Sequence, residues 1–425
     1  MFIFDYILSS SKIFMDEKEL YKRLELYRKR KLYEKDPSHK KKISYKKKRT
    51  YNILISIFFI VFIEGIFIIN LFKSDTDVSV MENRTLTHKP RFDIDNLIEG
   101  RYTKKYESYK NDQFICREKF INIKASIDSL LMKKDNNNVY KGKDGYLFEA
   151  FEKPNEEDEK SNIEAINSFM EKHSDINTTF MLIPISSTVL KEKLPKNAPI
   201  LDEKIYVDEF EKSLDSRINF IYPYETMRSH KREYIYYKTD HHWTTLGAYY
   251  AYEELCEKLE LDKKNLDDYT KVLATDEFYG TLYSKGLFKI KKGDDIYVYI
   301  NEDEKEESVI TYTEEKKKSA SFYDTDKLKE KNKYDLFLDG NHPLVEIENV
   351  NVNNDKKLLM IKDSYANSFV ECLTPFFSEI VMLDPRYYYD DIEELISEKE
   401  FTDIIYLYNS NTFFQDNSLS LVLNN

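Results

Sequence analysis

Apolar residues are unevenly spread along this chain, and their spacing divides it into parts. From Tyr51 to Phe72 the stretch "YNILISIFFIVFIEGIFIINLF" runs 22 residues with one charge, Glu64. At about 1.5 Å per residue that is enough to cross roughly 30 Å of hydrocarbon, so a single transmembrane helix is predicted. A soluble core helix of this length would show a polar stripe, and this segment shows almost none. A carboxylate near mid-bilayer costs on the order of 3 kcal/mol, so Glu64 is expected to be protonated or to face a partner helix. Further on, Phe120, Ile121, Ile123, Ile127 and Leu130 recur at helical spacing. In "VYKGKDGYLFEAF" a Gly-Lys-Asp-Gly turn separates strand-like residues, which predicts a hairpin at the start of the folded domain.

The pattern then alternates. A helical stretch from Ser161 gives way to the apolar run Thr179 to Ile185, and the order repeats at "RINFIYPYETM". Strands separated by helices predict an α/β domain with a parallel sheet. Between about 273 and 349 the pattern changes to short β-like pieces, "DDIYVYI" and "SVITYTE", broken by the charged run "NEDEKEE". A β-rich insertion decorating the sheet is expected there. The β/α order returns at "KKLLMIKDSYANSFVECL" and "SEIVMLDP". The expected organisation is a basic segment over 1–50, the span over 51–72, a leading segment and helix over 73–138, and the α/β domain over 139–425.

Charge gives the span a direction. From Lys18 to Arg49 there are fifteen Lys or Arg against four acidic residues, a net of +11, so the positive-inside rule puts the N-terminus in the cytoplasm. The whole chain carries −12, so the part after the span is strongly acidic. That argues against a nucleic-acid partner and for a domain outside the cell membrane. The apolar run is too long, and begins too far along, for a cleaved signal peptide. Three scattered cysteines, Cys116, Cys256 and Cys372, predict neither a disulfide framework nor a zinc site, and such cysteine poverty suits a Gram-positive-type envelope.

Two short stretches carry candidate chemistry. In "TDHHWTTLGAYYAY", Thr244 or Thr245 can cap a helix, which leaves Asp240, His241 and His242 in the loop before its N-terminus. Two residues of separation let Asp240 reach a ring nitrogen of His242 and fix its tautomer, while the other nitrogen faces a nucleophile. His241 is expected to point elsewhere. Alone, the triplet also fits a structural histidine pair or a metal site. In "KKLLMIKDSYANSF" the run Leu358 to Ile361 reads as a buried strand, and Ser364 follows it at the entrance to a helical pattern. Open α/β sheets carry reactive groups at such strand ends, although a plain helix cap fits too. Together the stretches supply a nucleophile, Ser364, a base, His242, and an orienting carboxylate, Asp240, the minimum for acyl transfer through a covalent ester. The Ser364 amide and Asn409 are the candidate oxyanion donors.

Those residues, with "GKDGYLF", "FYGTLYSKG", "FLDGNHP" and "EIVMLDPRYY", resemble the DHHW family of bacterial surface proteins. That family is similar in turn to the alginate O-acetyltransferases, in which an Asp-x-His precedes the serine on an SGNH-hydrolase-like α/β fold. The resemblance implies the same roles for Asp240, His242 and Ser364 and makes His241 a bystander. It also implies a cell-surface glycan as substrate and a multi-spanning membrane protein as acyl donor, which Glu64 and the anchor would meet. No cofactor or metal is implied. One departure stands out: Lys362 occupies the place of the glycine in the usual Gly-Asp-Ser block, where a side chain crowds the oxyanion geometry. Trp243 is expected either to pack under the Asp-His loop or to stack on a sugar ring.

The expected function is therefore a membrane-anchored, extracellular O-acyltransferase or esterase, adding acetyl to a polysaccharide or removing it. Two rivals remain. One is a non-catalytic glycan-binding or scaffold protein of the same fold, which Lys362 favours. The other is a metal-dependent phosphoesterase built on Asp240, His241, His242 and Asp363.

Overall fold

The computed structural model describes residues 16–35, 37–79, 84–300 and 307–424. Residues 1–15, 36, 80–83, the charged run over 301–306 and 425 lie outside them. The chain divides into two units, one of residues 1–75 and 88–115, the other of 76–87 and 116–425.

In the first unit, the basic segment and the apolar run share one helix, Pro37–Phe72, preceded by another over Glu17–Lys35. The part Ser44–Phe72 is long and apolar enough to cross a membrane, and its most apolar stretch is not buried. Asn70 ties the end of this helix to a later segment of the same unit. Its Nδ2 donates to the Ile66 carbonyl at 2.9 Å, and its Oδ1 accepts from the Ile115 amide at 2.8 Å, just beyond the helix Arg101–Asp112.

The second unit is built on one sheet. Its strands are β1 (Asn177–Ile183), β2 (Asn219–Ile221), β3 (Ser308–Tyr312), β4 (Lys317–Ser319), β5 (Leu344–Asn349), β6 (Lys357–Lys362), β7 (Glu379–Leu383) and β8 (Asp403–Asn409), arranged β4-β3-β5-β7-β6-β8-β1-β2. From β7 to β2 all pairings are parallel, whereas β5, β3 and β4 add on antiparallel. The α/β class predicted from the alternating pattern is the one observed.

The predicted insertion behaves differently from the expectation. Its strands β3, β4 and β5 extend the main sheet, because β5 pairs along the whole of β7 and covers what would otherwise be an open edge. Among the described residues of this region, the strands Thr270–Phe278 and Asp294–Ile300 stand apart, as an antiparallel pair with two register shifts.

Central strands bury both faces, which is why they read as unbroken apolar runs. In β6, Leu358 and Met360 join one core, while Leu359 and Ile361 join the other; β8 and β1 alternate likewise. The first core is covered by the helix Thr245–Lys258 through Ala248, Ala251, Tyr252 and Leu255. The second is covered by Glu156–Lys172, Glu203–Ser213 and Ile392–Lys399. Each large apolar side chain so buried contributes about 1.5–3 kcal/mol. The helix Arg117–Leu130 forms as its spacing predicts, yet Phe120, Ile123, Ile127 and Leu130 remain exposed.

Candidate active site

Strand β6 has its two sequence successors, β7 and β8, on opposite sides, so the order in which strands add to the sheet reverses at it. In open α/β sheets such a switch point opens a crevice at the strand's carboxyl end. Ser364 sits there. Asp363 caps the turn by accepting from the Tyr365 amide at 2.9 Å, and the chain continues as two 3-10 segments, Ser364–Ser368 and Val370–Leu373, in place of the single α-helix that the pattern suggests. Ser364 is half-buried, and its amide makes no hydrogen bond among the described residues.

The Asp-His loop is pinched at its base, where Tyr236 and Trp243 bridge and the Tyr237 amide donates to the His242 carbonyl at 3.2 Å. Thr244 caps the helix Thr245–Lys258, accepting from the Gly247 amide at 3.3 Å. The loop's other wall comes from the separate strand pair. One carboxylate, Asp294, accepts from the Lys238 amide at 2.8 Å, the Thr239 amide at 2.7 Å and the Thr239 hydroxyl at 2.5 Å.

These anchors bring the three predicted side chains together. His242 Nε2 lies 2.7 Å from Ser364 Oγ, and its Nδ1 lies 2.6 Å from Asp240 Oδ1. Asp240 Oδ2 accepts from both the amide and the hydroxyl of Thr281, at 2.7 and 2.9 Å. Gly280 makes that approach possible, since a Cβ there would fall 2.3 Å from Asp240. Burial works against ionising Asp240, but the two neighbouring imidazoles and these hydrogen bonds outweigh it and hold the carboxyl well below its ordinary range. For His242, burial and the neighbouring His241 outweigh the pull of Asp240 and push the ring down to about 4. A neutral imidazole with one nitrogen fixed by a carboxylate and the other on a hydroxyl can accept that hydroxyl's proton.

Residues that sequence reasoning missed complete the surroundings. The Tyr334 ring stacks on His242, centroids 3.7 Å apart, and its hydroxyl donates to the Ser364 carbonyl at 3.2 Å. Nothing in "NKYDLF" marks it, whereas Gly280 and Thr281 fall in "FYGTLYSKG".

Other expectations change. His241 does not point elsewhere: its ring lies 3.9 Å from that of His242, and its Nδ1 meets Thr281 Oγ1 at 2.7 Å. Trp243 is fully buried and cannot stack on a sugar. Its indole N–H donates to the Tyr365 carbonyl and to Ser368 Oγ, both at 3.1 Å, which makes it packing between the loop and the serine turn. Asn409 donates its amide to Asp363 Oδ2 at 2.8 Å and caps the next helix, and no hydrogen bond joins it to Ser364. Its buried Nδ2 has no partner among the described residues.

Lys362 is buried, and its ammonium donates to Asn367 Oδ1 at 2.9 Å and to Asp384 Oδ2 and Asn341 Oδ1 at 3.4 Å. Arg386 grips the same Asp384 with two bonds, at 2.8 and 2.6 Å. The side chain replacing glycine is thus committed to a buried ionic cluster. Asp240, His241 and His242 do lie close enough to share an ion. Asp363, the fourth ligand of the metal reading, is instead bonded to the Tyr365 and Asn409 amides, and both Asp240 oxygens already accept hydrogen bonds.

Fold and site together define an α/β protein with a Ser-His-Asp constellation at the carboxyl end of the parallel strands of a mixed sheet. Residues 199–383 match the family model described as DHHW protein, so the resemblance read from the motifs holds. A DHHW family protein from Eubacterium siraeum superposes with a TM-score of 0.58 at 26% identity, over 68% of this chain and 96% of that one. PatB1 of Bacillus cereus shares the fold, with a TM-score of 0.57 at 22% identity, over 66% of this chain and 98% of that one. A curated relative, probable alginate O-acetylase AlgJ of Pseudomonas syringae pv. tomato, is 23% identical over 201 residues, 44% of this chain. The match spans about half of that relative's length, 51%.

Proposed function

We propose that this protein is a membrane-anchored serine acyltransferase or esterase acting on a cell-surface glycan outside the membrane, with Ser364, His242 and Asp240 as its triad. One observation carries the reading: the continuous chain of short contacts from Asp240 through His242 to Ser364. The relative named as a probable alginate O-acetylase supports acetyl as the group and polysaccharide as the acceptor.

In the first half-reaction Ser364 Oγ attacks the carbonyl carbon of an acyl ester, and His242 Nε2 takes the hydroxyl proton. The Ser364 amide, without a hydrogen bond among the described residues, is a donor available to the oxyanion. The tetrahedral species collapses, the bond to the leaving alcohol breaks, and His242 returns the proton to it. A glycan hydroxyl, or water, then attacks the serine ester while His242 accepts its proton. Collapse restores the Ser364 hydroxyl and leaves an acylated glycan or a free acid. Throughout, Asp240 holds the ring and balances the transient imidazolium.

The Ser-His-Asp reading is tested with a fluorophosphonate probe and an acetyl ester on the full chain. Labelling and turnover are expected to vanish in Ser364→Ala and to fall by at least about a hundredfold in His242→Ala. Undiminished turnover in Ser364→Ala would refute the reading.

A further inference from the structure

The second unit holds an open groove of about 680 Å³ beside the Asp-His loop, and its walls are basic. Lys141, Lys238, Lys271, Lys289, Lys291 and Lys292 line it, in a chain with 77 acidic against 65 basic residues. Carboxylates at its rim neutralise one of the six, Lys292, and leave the rest. Asp295 is paired with Lys292 at 2.9 Å, Asp144 with Lys193 at 3.1 Å, and Asp294 is turned onto the loop amides. The other five lysines have no carboxylate within ion-pair distance among the described residues, although Lys271 rests over the Tyr297 ring at 4.0 Å. Like charges held together without counter-ions repel one another, and an anion from outside relieves that repulsion.

The groove is tied to the site by the chain itself. Lys238 forms part of its wall, and His242 follows four residues later, a separation of at most about 14 Å.

We infer that this groove binds the acceptor, and that the acceptor is a polyanionic glycan whose repeating unit carries phosphate or carboxylate. The word acceptor rests on the proposed acyl transfer; the binding of a polyanion does not. The experiment measures binding alone, using the full chain in neutral detergent with fluorescent poly(glycerol phosphate), polygalacturonate and neutral dextran. At least one charged polymer is expected to bind, with affinity falling steeply as salt rises and screening shortens from about 10 Å at 0.1 M to about 3 Å at 1 M. Dextran is expected not to bind. Exchanging three exposed lysines together, Lys271→Gln, Lys289→Gln and Lys291→Gln, is expected to weaken polymer binding about tenfold or more. Ser364→Ala is expected to bind the polymer as wild type does, so loss of ester chemistry and loss of polymer binding are read separately.

Absence of binding to both charged polymers by the wild-type chain overturns the inference, whatever the variant's fold. So does equal binding by wild type and a folded triple variant. If the triple exchange weakens binding to phosphatidylglycerol vesicles and leaves polymer binding intact, the groove is a lipid-headgroup site and the inference also falls.

Discussion

His242 meets Ser364 as an uncharged ring, and the cause is its surroundings: burial and the neighbouring His241 oppose the proton that Asp240 would otherwise attract. With the ring pushed down to about 4, the acid limb of kcat/KM for ester turnover is expected near pH 4, against about 6.5 for an ordinary imidazole. A pH profile with its half-point at 6.5 would contradict this. Stability carries the same sign. Between about 4 and 6.5 the unfolded chain binds a proton at this position that the folded chain refuses, so the contribution of His242 rises with pH across that window and is lost as pH falls. Gly280 gives a second test. Alanine there intrudes on Asp240, so Gly280→Ala is expected to cut ester turnover by about a hundredfold or more through misplacement of the carboxylate, as measured by kcat on folded protein. Asp240, His242 and Ser364 were legible because each sits in a short local motif. Tyr334 was not, because its role depends on a ring arriving from 92 positions beyond His242.

The loop from Tyr236 to Trp243 has no regular structure of its own and borrows order from Asp294. Asp294→Ala strands two amides, the Lys238 one half-buried and the Thr239 one buried, each costing about 1–3 kcal/mol, so the urea midpoint is expected to fall and turnover with it. Beneath β6 the ionic cluster behaves asymmetrically. Lys362→Met leaves Asp384 gripped by Arg386 and is expected to fold with little loss. Asp384→Ala leaves two cations without their shared partner and is expected to cost about 3–5 kcal/mol in denaturant unfolding. Sequence period located nearly every central strand, since burial on both faces writes itself as an apolar run. It failed to say that β3 and β5 join that sheet, because their alternating buried and part-buried residues fit any half-covered strand, and partner choice is set by the exposed edge of β7.

At the scale of the whole molecule, the proposed anchor divides a basic N-terminal part from an acidic remainder, and by the positive-inside rule that division predicts a cytoplasmic N-terminus. Protease added to intact cells is expected to remove a C-terminal tag and spare an N-terminal one; the reverse pattern would invert the topology proposed for the active domain. The period and length of the apolar run made this helix legible, and the basic segment's continuation into the same helix was not, since lysine-rich sequence fits helix and coil alike. The buried indole of Trp243 has one more consequence. It is the single tryptophan among 34 tyrosines and 27 phenylalanines, and it is sealed between the loop that carries the histidine and the turn that carries the serine. Light at the red edge of the absorption band therefore excites one chromophore at one place. Blue-shifted emission shielded from acrylamide reports the two halves closed together, and a red shift with quenching reports them parted, so the protein carries its own optical gauge of an assembled site.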